Sequence, residues 1–236
     1  MCEDCKPGNI SRRGLIAGGL ALSLATPLAS QAFAQEAVAA APVSPEEALQ
    51  RLVDGNARYV ANAAINTDHS LARASRAEGQ QPFAAIVSCS DSRVAPELIF
   101  DQGPGELFVV RVAGNFISEE GLATLEYGVA VLGIKTIVVL GHTACGAVEA
   151  TIKSIADREL PPGHLPSLVN AIRPAVYDVM GDAPDDLLDA ATAQNAKLNA
   201  ARALSAGPIL SGAAAAGTLG AVAGMYEIAT GKVTFL

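Results

Sequence analysis

Basic side chains are scarce in this sequence. Sixteen Lys and Arg stand against 24 Asp and Glu, a formal net charge of −8. That balance argues against a nucleic-acid partner, because binding phosphates takes clustered Lys and Arg. The longest apolar stretch, Gly14 to about Leu28, is shorter than the roughly 20 residues of a membrane-spanning helix. Thiols are few as well. Of four cysteines, only Cys89 and Cys145 lie beyond residue 34, so no set of four thiolates could close a purely structural zinc site. No internal repeat is present.

What is present is apolar bulk. Half of the 236 residues are hydrophobic, enough for one domain with a sizeable core. The leader, residues 1–34, is set apart by charge: Lys6, Arg12 and Arg13 against Glu3 and Asp4 make it net positive. Ser11-Arg12-Arg13-Gly14-Leu15-Ile16 resembles a twin-arginine export motif. Ala32-Phe33-Ala34 supplies small residues for a signal peptidase, placing cleavage before Gln35. The expectation is a periplasmic or secreted protein with no stable membrane insertion after cleavage; the alternative is an uncleaved anchor. Cys2 and Cys5 have CxxC spacing without a strand–helix context, and they would leave with the leader.

Residues 35–43 are rich in Ala and read as a linker, leaving 44–236 as a single catalytic domain. Ser44-Pro45-Glu46-Glu47 is a helix start, with Ser44 as N-cap and Glu47 closing a capping box. Leu49, Leu52, Val53, Ala57 and Val60 then recur at helical spacing. A second helix is expected over Leu71–Glu78. Alternation follows: strand Phe83–Ser88, a short helix near Pro96–Phe100, strand Leu107–Val110, helix Gly121–Leu132, strand Thr136–Leu140 and a helix from Ala147 toward Asp157. Two further helices are expected over Pro166–Met180 and Asp185–Leu204. Segments Gly220–Ala229 and Lys232–Leu236, around Thr230-Gly231, read as a hairpin at the sheet edge. The fold class is therefore α/β: a central, mostly parallel β-sheet with flanking helices and a C-terminal edge hairpin.

Two strings stand where apolar strands end: Cys89-Ser90-Asp91-Ser92-Arg93 and Gly141-His142-Thr143-Ala144-Cys145. Ligands of open α/β sheets gather at the carboxyl ends of strands. Two thiolates and an imidazole suit zinc, and three protein ligands leave a fourth position for water or substrate. The alternative for Cys89 and Cys145 is a disulfide, which an exported chain could form. Asp91 and Arg93 are close enough for the guanidinium to fork onto the carboxylate; the bland alternative is a surface ion pair of little worth. His69 and His164 lack Cys or carboxylate company and read as surface histidines.

This pair of strings resembles the β-class carbonic anhydrases, and the similarity runs from about Ser44 to Leu236. The resemblance implies one zinc per subunit on Cys89, His142 and Cys145, and reversible hydration of carbon dioxide to bicarbonate and a proton by zinc-bound hydroxide. It implies that Asp91 accepts a hydrogen bond from that hydroxide or swings in as fourth ligand, and that Arg93 holds it in the open position. Gln80, Phe108, Ala113 and Tyr127 match the family's substrate pocket, with Val94 beside the Asp91–Arg93 pair. By spacing alone, Phe108 and Tyr127 are core residues. Gly114 and Asn115 match a family loop, where Gly permits positive φ and Asn satisfies loop backbone groups.

A homodimer or homotetramer with active sites at the subunit interface is likewise implied, and the helix from Glu46 is a candidate arm around the partner. Gln80, together with Ile86 in place of a Trp used by a bicarbonate-switched branch, places the chain nearer the plant-like branch. Arg111 matches residues of both branches, and Ser88 departs from the pattern. Two rival readings stand: hydrolysis of carbonyl sulfide or carbon disulfide at the same site, and a non-enzymatic zinc-binding protein. An intact Asp91–Arg93 pair argues against the second.

Overall fold

The computed structural model describes residues 43–70 and 73–236. The expected leader, with Cys2, Cys5, Arg12, Arg13 and the Ala32-Phe33-Ala34 cleavage site, lies outside the described residues. So do all but the last residue of the linker and the start of the helix expected at Leu71.

The first helix, α1 (Pro45–Val60), begins as its sequence dictates. Ser44 Oγ accepts the Glu47 N–H at 3.1 Å, and the Glu47 carboxylate accepts the Ser44 N–H at 2.8 Å. The second expected helix is short: α2 is the four residues Arg73–Arg76. Then come β1 (Ala84–Ser88), α3 (Pro96–Ile99), β2 (Leu107–Arg111), α4 (Glu119–Ala130), β3 (Thr136–His142), α5 (Gly146–Asp157), α6 (Leu165–Met180), α7 (Leu187–Ser205), α8 (Ile209–Ala215), β4 (Gly220–Tyr226) and β5 (Val233–Phe235).

The strands form one sheet in the order β2-β1-β3-β4-β5. Pairs β1–β2, β1–β3 and β3–β4 are parallel, while β4–β5 is antiparallel. The edge hairpin is thus as expected, and its loop turns through Gly231 at φ 79°, where an added Cβ would lie 2.9 Å from the Tyr59 ring. Every residue of β1 and of β3 is buried. That is why both read as unbroken apolar runs: a parallel sheet is covered on both faces.

Side chains alternate between the two faces. Ala84, Ile86, Val138 and Leu140 pack with Ala48 and Leu52 of α1 on one side. Ala85, Val87, Ile137 and Val139 pack with Leu125 of α4 and Ala196, Ala200 and Ala203 of α7 on the other. Ala48, Leu52, Gly55 and Asn56 of the candidate arm are therefore buried in its own subunit, while Val53 and Val60 stay exposed on its outer side. A third cluster of Cys89, Cys145, Val148, Ile172, Val176 and Ala191 sits at the carboxyl ends of β1 and β3, under α5, α6 and α7.

Helix α8 was not expected from the sequence. Gly212 stands before its short Ala run, and it has no side-chain N-cap, so propensity and capping signals are weak. Leu210, fully buried among the α7 side's residues, anchors it. His69 and His164 are exposed, as expected.

Candidate metal centre

Two adjacent strands deliver the three candidate ligands. Cys89 follows the last residue of β1, His142 is the last residue of β3, and Cys145 is the N-cap of α5. The turn between His142 and Cys145 is tightened by Ala144, at φ 55°. The ligand atoms of the three residues all lie within 4.8 Å of one another, and all three residues are buried. Both cysteines are free thiols, so the disulfide alternative falls.

Does this donor set fit a zinc ion? His142 Nδ1 lies 2.9 Å from the Thr143 carbonyl oxygen, so the proton belongs on Nδ1 and the lone pair on Nε2. That Nε2 is buried and has no hydrogen-bond partner among the described residues. An orphaned buried acceptor costs about 1–3 kcal/mol, and an ion seated between Nε2 and the two sulfurs removes that cost. The residues fit the metal.

One thiol of the pair is prepared for it. Cys89 is drawn well below the ordinary thiol range, chiefly by a hydrogen bond from the Cys145 thiol. Burial opposes this, and His142 and the backbone N–H groups of Gly114 and Asp91 assist. The Gly114 N–H lies 3.3 Å from Cys89 Sγ. Cys145 is pushed up, first by its hydrogen bond to Cys89 and then by burial. For His142, burial disfavours the cation, but the Cys89 sulfur, the Thr143 carbonyl and Asp91 together carry it above its ordinary value.

Asp91 stands beside this set with one oxygen 4.0 Å from His142 Nε2. Arg93 grips it by three bonds: Nε to Oδ1 at 2.9 Å, a terminal N–H to Oδ2 at 2.7 Å, and the backbone N–H to Oδ1 at 2.9 Å. The Arg93 fork holds the Asp91 carboxyl well below the usual carboxylate range, against a smaller opposing effect of burial. The expected guanidinium–carboxylate fork is therefore present.

Three residues not singled out as site residues brace this geometry. Arg111, which faces Ser88 across the β1–β2 register, donates to the carbonyls of Cys89 at 3.0 Å and Asp91 at 2.7 Å. On α7, Asn195 donates to the Gly114 carbonyl at 2.8 Å, and Asn199 accepts the Ile117 N–H at 2.8 Å. Their signal in the sequence is two amides four residues apart on an otherwise Ala-lined helix. Gly114 itself adopts φ 83°, and an added Cβ would lie 2.4 Å from Ile172 Cδ1. The reading of Asn115 is corrected. It is fully buried at φ 41°, but its side-chain amide has no hydrogen-bond partner among the described residues. The loop's backbone is served from α7 instead. What position 115 uses is the tolerance of Asn for the left-handed region.

The expected substrate residues fall into two groups. Ala113, half-buried, precedes Gly114 at the carboxyl ends of the strands, and Val94 is buried one residue beyond Arg93. Phe108 is the second residue of β2 and Tyr127 lies in the last turn of α4, with ring centroids 6.4 Å apart. Gln80 is exposed, four residues before β1. These three belong to the amino-terminal end of the sheet, and β1 puts about 13 Å of strand between that end and Cys89. Within one subunit the structure brings Cys89, His142, Cys145, Asp91 and Arg93 together, and leaves Gln80, Phe108 and Tyr127 at the other end.

Residues 84–233 match the protein family described as carbonic anhydrase. The carbonic anhydrase of Mycolicibacterium smegmatis is 38% identical over 192 residues, which is 80% of this chain and 92% of the relative. Carbonic anhydrase 2 of Mycobacterium tuberculosis is 46% identical over 134 residues, 56% of this chain and 65% of the relative. Among solved structures, the Coccomyxa β-carbonic anhydrase in complex with acetazolamide superposes with a TM-score of 0.63 at 28% identity, covering 80% of this chain and 86% of that one. The β-carbonic anhydrase CcaA gives a TM-score of 0.62 at 29% identity, covering 79% and 94%. With the family match spanning β1 to β5 and the relatives agreeing along the chain, this protein belongs to the β-class carbonic anhydrase family.

Proposed function

We propose that this enzyme reversibly hydrates carbon dioxide to bicarbonate and a proton, with one zinc per subunit held by Cys89, His142 and Cys145. The observation that carries the reading is the orphaned, buried Nε2 of His142 between two free thiols. Zinc supplies a Lewis acid that makes a hydroxide nucleophile available near neutral pH.

The chain's own residues do the rest. Cys89 and Cys145 contribute thiolate charge, and the Gly114 N–H fixes the direction of the Cys89 sulfur. Asp91 remains anionic and offers a hydrogen-bond acceptor to the reacting oxygen. Arg93 keeps that carboxylate aimed and off the metal, while Arg111 pins the backbone on which Asp91 rides. Gln80, Phe108 and Tyr127 complete the substrate pocket of a partner copy rather than their own. Their position at the far end of the sheet supports a dimer or a larger even-numbered assembly. Gln80 and the fully buried Ile86, where the switched branch has Trp, support the plant-like branch.

The twin-arginine motif and the small residues before Gln35 support a cleaved leader over 1–34, a linker over 35–43, and a periplasmic or secreted enzyme over 44–236. No helix among the described residues is long and apolar enough to cross a membrane. The experiment that tests the central reading is metal analysis of Cys145→Ser alongside the parent protein. We expect about one zinc per subunit in the parent and a small fraction of that in the variant, because an alcohol is a poor replacement for thiolate. Full zinc occupancy in Cys145→Ser would overturn the ligand set.

A further inference from the structure

A cavity with mixed polar and apolar walls lies well away from the metal centre. It has a volume of about 310 Å³ and opens between the carboxyl-terminal end of α5 and the middle of α6. From Cys145 to Ser154, on its wall, α5 runs about 13 Å. Arg158, Arg173, Asn170 and Tyr177 supply polar groups, and Ile155 and Leu160 an apolar wall.

Arg173 is the unusual member. Its Nε is buried and has no hydrogen-bond partner among the described residues, and its terminal nitrogen makes one long bond, 3.4 Å to Ser154 Oγ. That hydroxyl already donates to the Glu159 carbonyl. Glu159 also lines the cavity, yet among the described residues no carboxylate lies within 4.0 Å of either Arg173 or Arg158. A half-buried guanidinium with five donors and one weak acceptor is underserved, and burying such a charge is costly unless it is paired. Arg158, at the C-cap of α5, also suits a helix carboxyl terminus, so Arg173 carries the argument.

We propose that this cavity binds a small organic anion whose carboxylate or phosphate head docks on the Arg173 fork, with Arg158 as the second cation. A guanidinium presents paired donors matched to both head groups. The volume sits at the low end of the range for small-molecule pockets and is too large to be filled by bicarbonate. Ile155 and Leu160 provide a surface for an apolar body attached to the anionic head.

The test uses the zinc-loaded enzyme with benzoate, phenyl phosphate and, as neutral control, benzyl alcohol, followed through the Arg173 Nε–H resonance. That readout separates this cavity from any anion reaching the metal. We expect saturable shifts of that signal with an affinity of about 1 mM or tighter from benzoate, phenyl phosphate or both, and none from benzyl alcohol. The tighter of the two probes assigns the head group. Arg173→Lys and Arg173→Gln lack that resonance and are compared with the parent by titration calorimetry; both should weaken binding by about 10-fold or more, as expected for loss of a charged hydrogen-bonded contact. Both should keep the parent's zinc content and hydration rate. Absence of saturable shifts with either anion up to about 10 mM, an equal response to benzyl alcohol, or undiminished binding by both variants would overturn the proposal.

Discussion

At the scale of single residues, the chemistry depends on an aspartate kept charged and kept away from the metal. Asp91→Asn preserves the shape of the side chain but removes the anion and weakens the grip of Arg93. We expect zinc to remain bound and hydration to fall at least about 100-fold, the lower range for loss of a positioned proton acceptor. Near-normal turnover across neutral and alkaline pH would reduce the pair to a structural contact. The pH dependence has a definite sign. Because the folded-state value of Asp91 is depressed, the pair's stabilisation is fully present above the ordinary carboxylate value of about 3.9. It is lost as pH falls through the lower, folded value. Parent and Asp91→Asn should therefore differ in thermal stability by a constant amount between pH 5 and 8, with the difference shrinking only in strong acid.

The residues that touch the metal were legible because their types and spacing are local: a Cys after one apolar run, His-x-x-Cys after another. Arg111, Asn195 and Asn199 were not. Arg111 meets Cys89 only through the register of β2 against β1, and the two asparagines meet residues 114–117 only because α7 packs over that loop. Nothing in a linear spacing states either fact. Asn115 was misread for a related reason. Its positive φ follows from sequence preference, but which donors and acceptors serve the loop is a tertiary matter.

At the scale of elements, α1 is secured by one buried amide. Asn56 donates to the carbonyls of Ile99 at 3.1 Å and Gly231 at 2.9 Å, and accepts the Val233 N–H at 2.8 Å. One side chain thus ties α1 to the end of α3 and to the edge hairpin. Asn56→Ala leaves a buried N–H and two carbonyls unserved, and we expect a loss of about 3 kcal/mol. In a chain of this size that lowers Tm by about 6–12 °C, measurable by calorimetry. A shift under about 2 °C would mean that α1 is held by its apolar face alone. The capping box of α1 and the buried strands were readable in advance because capping and burial leave short-range signatures. Helix α8 was not, since its one strong determinant, the burial of Leu210, is a property of the assembled core.

At the scale of the whole molecule, the sheet has its candidate metal centre at one end and the Phe108–Tyr127 pair, with Gln80, at the other. An assembly that pairs unlike ends makes a specific demand on hybrids. Cys145→Ser removes a metal ligand, and Gln80→Ala removes the group that the proposed assembly would lend to the neighbour's pocket. Each should be poorly active alone. In a dimer assembled at random from equal amounts of the two, half the molecules are hybrids and each hybrid has one intact site. Mixing and reassociation should then recover about a quarter of parental turnover. No recovery would show that Gln80 serves its own subunit or none.

The export reading also belongs to this scale. If the leader is a twin-arginine signal, as proposed, replacing Arg12 and Arg13 by Lys should leave the precursor in the cytoplasm, because such a pair is read by a receptor rather than as generic charge. Undiminished export of the double variant would point to the general secretory route.

The two sulfurs of the metal centre are also the entire thiol complement beyond residue 34. A chromogenic thiol reagent applied to the unfolded, metal-stripped domain would therefore count two groups, while the loaded, folded domain would present none. The difference makes titration a direct gauge of how much of any preparation is charged with metal. It needs neither a spectroscopic label nor a rate measurement, and it would let turnover be expressed per competent site rather than per mole of protein.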